Sequence, residues 1–297
     1  MRSYFQGADA RLSARVLNEH GNKTLIALHG MRDHSGSFAL LAEALPDYRL
    51  ILPDLRGHGM SDHPGVYSMA HFSADLLALY QHYEIGQAAL LGHSLGGHIV
   101  GRFAGLFPNS VSRLILVDGF GPPRAKNIGA TGSQARHQAD QVAALIALPR
   151  SPRRMLDLDE AVLRYQKGNP KLTEGVTRRL TLEGIKPHGE GGVVWRWDPR
   201  AQQVWATFSH EESESLLGNI TASTCVITGS EGLEYWLRMH PELAGEHAYY
   251  QAELQRRLGL FNSPIKNVVL EGAGHMVHYD VPSAFGESVA AFLGDQP

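Results

Sequence analysis

The chain has 297 residues, of which 43% are hydrophobic and 19% charged, and its formal net charge is −3. This balance is typical of a globular protein with a substantial core, and it argues against nucleic acid or an anionic membrane as partner. Because no stretch approaches about 18 apolar residues and the N-terminus has no apolar signal region, we expect a soluble, cytoplasmic protein. The single cysteine, Cys225, lies in an apolar stretch and is predicted to be a buried structural thiol.

Short apolar runs separated by helical patterns follow one another along most of the chain. Each run stops at Gly, Asp or His and lacks polar alternation, which predicts buried parallel strands at 24–30, 48–54, 88–94, 113–119, 223–229 and 267–275. Helices are predicted at 35–46, 69–83, 95–107 and 282–293. Strands that alternate with helices predict an α/β fold whose mostly parallel central sheet is covered by helices on both faces. The alternating run at 10–17 predicts an antiparallel edge strand.

The alternation breaks after Gly119. From there to Leu217 the chain has no convincing buried strand, and it holds three of the four tryptophans. A structureless connection of this length is uncommon in a compact domain. We therefore predict that residues 119–217, the insertion segment, form a mostly helical cap, or lid, within a core domain made of residues 1–118 and 218–297.

The stretch "LLGHSLGGHIV" contains G-x-S-x-G between a predicted strand and a predicted helix. In that setting Ser94 occupies a strained corner at the top of the sheet, and side chains at positions 92 and 96 would collide with their neighbours. The helix that follows directs its free backbone N–H groups, led by that of Leu95, at charge on a substrate oxygen. This pattern predicts a nucleophilic serine.

A serine hydroxyl needs a base to accept its proton, and His275 is the best candidate. It follows the last predicted strand across a Gly-Ala-Gly loop and precedes the last helix. The loop after the first central strand, "LHGMRDHSGSF", is expected to supply the second oxyanion donor, the N–H of Met31. His29 is expected to brace this loop by hydrogen bonding.

These features together resemble the α/β-hydrolase fold family, and in particular its capped members. The resemblance covers nearly the whole chain, through the ordered signatures HG (29–30), "DLRGHGMSD" (54–62), "GHSLGG" (92–97), "LILVDG" (114–119) and "GAGH" (272–275). The strings "NPKL" (169–172) and "VVWRWDP" (193–199) are similar to the serine-hydrolase-like branch. The resemblance implies a Ser-His-acid triad and an acyl-enzyme.

One position departs from the family pattern. The triad acid is usually an Asp three positions after the glycine that ends the penultimate strand, but here that position holds Gly232. Asp118, at the end of a buried strand, and Glu231, in a glycine-flanked turn, compete to replace it. We favour Asp118, because a buried ionised carboxylate needs a partner such as His275.

The function predicted from these residues is a cofactor-independent serine hydrolase that cleaves a carboxylic ester, thioester or lactone with an apolar portion. Trp195 and Trp197, which flank Arg196, would face one side of an extended segment and either roof a substrate pocket or pack the cap on the core. No metal site is expected, because Met60 interrupts the HxHxDH pattern at residues 58–63. The alternatives are a C–C bond hydrolase with the same triad and a ligand-binding receptor without turnover, which the missing Asp at position 232 motivates.

Overall fold

The computed structural model describes residues 1–120, 133–239 and 244–294. In this part of the chain eight strands form one sheet. They are β1 Arg2–Gln6, β2 Arg11–Leu17, β3 Lys23–Leu28, β4 Tyr48–Pro53, β5 Ala88–His93, β6 Val111–Val117, β9 Ser223–Gly229 and β10 Ile265–Leu270. A separate antiparallel pair consists of β7 Ile185–Pro187 and β8 Val193–Trp195.

The order of strands in the main sheet is β1-β2-β4-β3-β5-β6-β9-β10. The six strands from β4 to β10 in this order pair in parallel, whereas β1 with β2 and β2 with β4 pair antiparallel. Parallel strands need crossover connections, and helices supply most of them. The predicted fold class, a mostly parallel central sheet, is confirmed.

Helices cover both faces of this sheet, and further helices lie in the insertion segment. The helices in the described residues are α1 Leu41–Ala44, α2 Met69–His82, α3 Leu95–Leu106, α4 Ser133–Ala147, α5 Leu158–Gly168, α6 Glu174–Gly184, α7 His210–Leu217, α8 Gly232–Met239, α9 His247–Leu258, α10 Val277–Asp280 and α11 Pro282–Gly294. Successive side chains of a strand point to opposite faces. Leu90 accordingly packs with the buried residues of α2 and α3, and Leu91 packs with those of α11. The two layers bury apolar surface on both sides of the sheet.

Two predictions at the N-terminal side of the sheet were wrong in detail. The run at 10–17 forms an antiparallel strand, but β2 is not the edge, because β1 pairs with it from the outside. β1 is mostly polar and only half buried, so its sequence carries no apolar run. The helix predicted at 35–46 is α-helical only over Leu41–Ala44, and the residues before it form turns.

The described residues of the insertion segment contain the four helices α4 to α7, the β7–β8 pair and a 3₁₀ helix over Pro199–Thr207. The β7–β8 pair is the strand content that the sequence did not predict. The segment contacts the rest of the chain at several points, including the Tyr67 hydroxyl on the Asp198 carboxylate at 2.7 Å and His34 Nε2 on the Leu180 carbonyl at 3.0 Å. The domain boundaries, and movement as a lid, stay predictions.

Cys225 is fully buried in β9, as expected of a structural thiol. Across the described part of the chain, no helix combines the length and the apolar character that crossing a membrane requires.

Candidate active site

The predicted nucleophile and the favoured acid leave the sheet side by side. His93, the last residue of β5, is in register with Val117, the last residue of β6. Ser94 and Asp118 follow these two residues, and the Ser94 amide donates a hydrogen bond of 3.0 Å to the Val117 carbonyl. Because parallel strands end at the same edge, the two side chains share this edge, the carboxyl edge of the sheet.

Ser94 has the strained backbone that the sequence predicted. Its φ of 51° and ψ of −118° are unusual for a residue with a side chain, and such strain costs on the order of 1–3 kcal/mol. The turn also needs its glycines. A Cβ on Gly92 would collide with the Gly96 carbonyl, and a Cβ on Gly96 would collide with the Leu28 carbonyl. The tight packing of α3 against β3 and β5 therefore fixes Ser94 at the corner.

Asp118 and His275 are in direct contact. His275 is in the loop between β10 and α10, and its Nδ1 is hydrogen-bonded to the Asp118 carboxylate. Both residues are buried, and the Asp118 amide is held by the Ile227 carbonyl at 2.9 Å. A carboxylate on Nδ1 fixes the tautomer of the imidazole and leaves Nε2 for the nucleophile.

Glu231, the other acid that the sequence offered, is placed differently. Its side chain is 52% exposed and forms an ion pair of 2.7 Å with Lys171 of the insertion segment. Gly232, at the position where the family usually carries the acid, lies close to the Asp118 carboxylate: a Cβ there would be 3.8 and 3.9 Å from its two oxygens. The Asp118 carboxylate thus lies beside the position where the family usually carries the acid.

Three aromatic side chains surround the imidazole of His275. The ring of Tyr235 is stacked on it, with centroids 3.9 Å apart and an angle of 13° between the planes. Trp236 meets the imidazole edge-on at 5.2 Å, and His93 lies at 4.8 Å. His93 Nε2 also donates a hydrogen bond of 2.9 Å to the His275 carbonyl, which ties His275 to the residue before Ser94.

The loop after β3 lies against this elbow. A Cβ on Gly30 would approach the Cβ of Ser94 to 3.2 Å, so the main chain of the loop is close to the nucleophile. His29 Nε2 accepts a hydrogen bond of 3.0 Å from the Leu55 amide, so its Nδ1 carries the proton and donates to the Gly30 carbonyl at 2.8 Å. In a planar trans peptide the N–H points opposite to the C=O. Because His29 Nδ1 binds the Gly30 carbonyl, the N–H of Met31 points away from the side chain of His29.

A second histidine holds the next residue of this loop. Arg32 has a positive φ of 65°, and its amide donates a hydrogen bond of 3.1 Å to His58 Nε2. His58 Nδ1 in turn donates to the Arg56 carbonyl at 3.0 Å. Both ring nitrogens of His58 are thus hydrogen-bonded to main-chain groups. His58 is the first residue of the stretch 58–63 that resembles the HxHxDH metal pattern. Among the residues that the structure describes, the Met31 amide has no hydrogen-bond acceptor, as an oxyanion donor requires.

Burial keeps these supporting histidines uncharged. It lowers the pKa of His29, and it lowers the pKa of His58 to about 3. Burial also holds the pKa of His93 well below its ordinary value. At neutral pH all three accept or donate hydrogen bonds as neutral rings, and the carboxyl edge gains no fixed positive charge from them.

The two predicted cap tryptophans lie at different places. Trp195, at the end of β8, contacts Tyr165 of α5 with ring centroids 5.9 Å apart. The Arg32 guanidinium lies over the ring of Trp197 at 5.1 Å. Trp197 therefore adjoins the loop that carries Met31, whereas Trp195 packs within the insertion segment. A substrate-binding role for either stays a prediction.

Sequence reasoning missed Tyr235, Trp236 and the structural use of His93. The signal was present in "GLEYWL": residues 232, 235 and 236 are spaced by three and four positions, which places them on one face of a helix. This spacing predicts a shared helix face, but it does not predict that the face meets His275.

Comparison with known proteins places the chain among hydrolases. A profile of the family described as alpha/beta hydrolase fold matches residues 23–172. The serine hydrolase-like protein of Danio rerio is 25% identical over 75% of this chain and 69% of its own. Esterase YbfF of Escherichia coli is 25% identical over 94% of this chain and 96% of its own. The putative 2-succinyl-6-hydroxy-2,4-cyclohexadiene-1-carboxylate synthase of Bacillus subtilis is 34% identical over 92% and 91%.

Solved structures show the same fold. The thioesterase domain from the curacin biosynthetic pathway superposes with a TM-score of 0.81 over 98% of this chain and 99% of that domain, at 22% identity. Such low identity speaks for the fold alone. With a family profile that matches half of its length and a sheet of the same architecture, this chain belongs to the alpha/beta hydrolase fold family.

Proposed function

We propose that this hydrolase is a cofactor-independent serine enzyme that cleaves a carboxylic ester, thioester or lactone through an acyl-enzyme on Ser94. The observation that carries the proposal is the pairing of Asp118 with His275 beside the strained turn of Ser94. The pairing supplies the base that a serine nucleophile needs. Under this proposal the triad acid comes from the end of β6, in place of an acid at position 232.

The first half of the reaction uses four groups. His275 Nε2 accepts the proton of the Ser94 hydroxyl while the Ser94 oxygen attacks the substrate carbonyl. The carbonyl oxygen becomes negative and receives hydrogen bonds from the amides of Met31 and Leu95, the latter at the first residue of α3. Collapse of this intermediate breaks the bond to the leaving group, which takes the proton from His275 and departs as an alcohol or a thiol.

The second half repeats these steps with water. His275 removes a proton from a water molecule, the hydroxide attacks the acyl carbonyl, and the same two amides hold the negative oxygen. The bond to Ser94 then breaks and Ser94 recovers its proton from His275. A carboxylic acid is released, and the protein returns to its starting state with no redox change.

Active-site titration tests the proposal. An alkyl organophosphonate should label the wild-type protein with one equivalent on Ser94, and hydrolysis of a short-chain p-nitrophenyl ester should disappear with the label. Ser94→Ala should show neither labelling nor turnover, and His275→Ala should be labelled at least about 10²-fold more slowly. Ester hydrolysis that survives in Ser94→Ala would refute the proposal.

A second candidate reaction is cleavage of a C–C bond next to a ketone. It is motivated by the Bacillus subtilis relative, whose name describes a putative synthase of a cyclohexadiene carboxylate and not an ester hydrolase. The same Ser-His-Asp arrangement could serve either reaction. A panel of esters, thioesters, lactones and β-diketones distinguishes them, because kcat/KM for an ester should exceed that for a diketone of similar size under our proposal. The receptor alternative predicts an unlabelled Ser94 alongside tight ligand binding.

A further inference from the structure

We infer that Tyr235 is a positioning residue for His275: its ring holds the imidazole in place and stabilises the charge that the imidazole gains in each catalytic step. This inference rests on the proposed function, since it requires His275 to be the base. It goes beyond the triad by assigning a role to α8, a helix that supplies none of the three triad residues.

The contact between the two rings is close and nearly parallel. Their centroids are 3.9 Å apart and their planes differ by 13°, so the phenol ring covers one face of the imidazole. Aromatic pairs in proteins usually have centroids about 4.5–7 Å apart, which makes this a close stack. Trp236 adds an edge-on contact at 5.2 Å.

The other sides of the imidazole are also occupied. His93 packs near it at 4.8 Å with a tilt of 49°, and Asp118 holds Nδ1. Among the described residues, Nε2 has no hydrogen-bond partner. The ring is therefore restrained from rotating, and its only unoccupied nitrogen is the one that must face Ser94.

The sequence of α8 explains how one helix reaches both buried partners. Gly232 is the first residue of α8, and a Cβ there would be 3.8 Å from Asp118. Tyr235 and Trp236 come three and four positions later, on the same face of the helix, and both contact His275. The start of α8 therefore adjoins the Asp118 carboxylate, and its aromatic residues cover the imidazole that this carboxylate binds.

Charge gives the stack its catalytic value. His275 alternates between a neutral ring and an imidazolium as it accepts and returns a proton. The face of a tyrosine ring is negative, so it attracts a cation more strongly than a neutral ring. The stack therefore stabilises the imidazolium in both halves of the reaction. It does not contribute to substrate binding. Loss of the ring should lower kcat and leave KM nearly unchanged.

The test compares Tyr235→Phe with Tyr235→Leu in the full chain. The phenylalanine variant keeps the ring and should retain kcat within about 2-fold, whereas the leucine variant should lose about 10-fold in kcat with KM within about 2-fold. Proton NMR gives an independent signal: the proton between His275 Nδ1 and Asp118 should resonate far downfield in the wild type and in Tyr235→Phe. In Tyr235→Leu this resonance should broaden or shift, because the imidazole moves.

Tyr235→Met, which also removes the ring, is made alongside in case leucine destabilises α8, and thermal melts report folding. Full kcat in a folded variant without the ring, with an unchanged downfield resonance, would overturn the inference. An equal loss in Tyr235→Phe would also overturn it, by assigning the effect to the hydroxyl. Failure of the proposed function looks different: ester hydrolysis by Ser94→Ala would remove that proposal, whatever position 235 does.

Discussion

At the scale of single residues, this chain departs from the family pattern at position 232, and we propose that Asp118 supplies the acid instead. Asp118→Asn should lower kcat by about 10³–10⁴-fold, because an amide at Nδ1 stabilises the wrong tautomer of His275 and cannot stabilise the imidazolium. Glu231→Gln is the matched control. Its carboxylate is half exposed and paired with Lys171, so turnover of a short-chain ester should change less than about 2-fold.

The neighbouring glycine makes a stricter version of this experiment possible. A side chain at position 232 would begin less than 4 Å from the Asp118 carboxylate, so an aspartate there could place its own carboxylate near His275. Asp118→Gly combined with Gly232→Asp should therefore recover at least about 10-fold of the kcat that Asp118→Gly loses. A double variant as inactive as the single one, although folded, would show that Asp118 has a further role that position 232 cannot replace.

At the scale of elements, two neutral histidines, His29 within the loop after β3 and His58 outside it, hold this loop in place. His58 Nε2 accepts a hydrogen bond from the amide of Arg32. The φ of Arg32, 65°, is unfavourable for a residue with a side chain. His58→Leu removes this acceptor and should lower kcat about 10-fold with little change in KM, because Met31 would no longer be held for the oxyanion. Steady-state kinetics on a short-chain ester measure this effect.

Two further variants separate this positioning from a general loss of histidine. Gln at position 58 has an amide oxygen that can replace Nε2 as acceptor, so His58→Gln should keep at least half of the wild-type kcat. His20→Leu, in an exposed turn, should have no effect. A fully active His58→Leu variant would mean that the rest of the loop holds Met31 without this hydrogen bond.

The elements also show what the sequence could and could not predict. Central strands such as β5 and β9 are fully or nearly fully buried, so their apolar runs were visible, and the predicted boundaries lie close to the observed ones. Ser94 was visible because its glycines are sterically required. The sequence did not predict β1, because this strand is stabilised by pairing with β2 and has no apolar run of its own. It did not predict the stack of Tyr235 on His275 either, because residues 40 positions apart meet only through the tertiary fold.

At the scale of the whole molecule, buried neutral histidines make stability depend on pH. Burial lowers the pKa of His58 to about 3, whereas the pKa of an unfolded histidine is about 6.5. Between these values the unfolded chain binds a proton that the folded chain does not. The free energy of unfolding should therefore be highest above about pH 6.5 and fall as the pH is lowered, by about 1.4 kcal/mol per pH unit for one such histidine.

Asp33 also contributes to acid sensitivity, but in another pH window. Burial alone would raise its pKa, yet His278 and other nearby histidines hold the pKa of Asp33 below its ordinary value. Its contribution to the free energy of unfolding is present above about pH 4 and is lost only below it.

Denaturant unfolding between pH 6.5 and 4.5 therefore measures the contribution of the buried histidines without that of Asp33. Over that range His58→Gln should lose about 2 kcal/mol less stability than the wild type, whereas His20→Gln, at an exposed site, should follow the wild type. Parallel curves for His58→Gln and the wild type would mean that His58 gains a proton in the folded protein, and that the bond to the Arg32 amide does not keep it neutral.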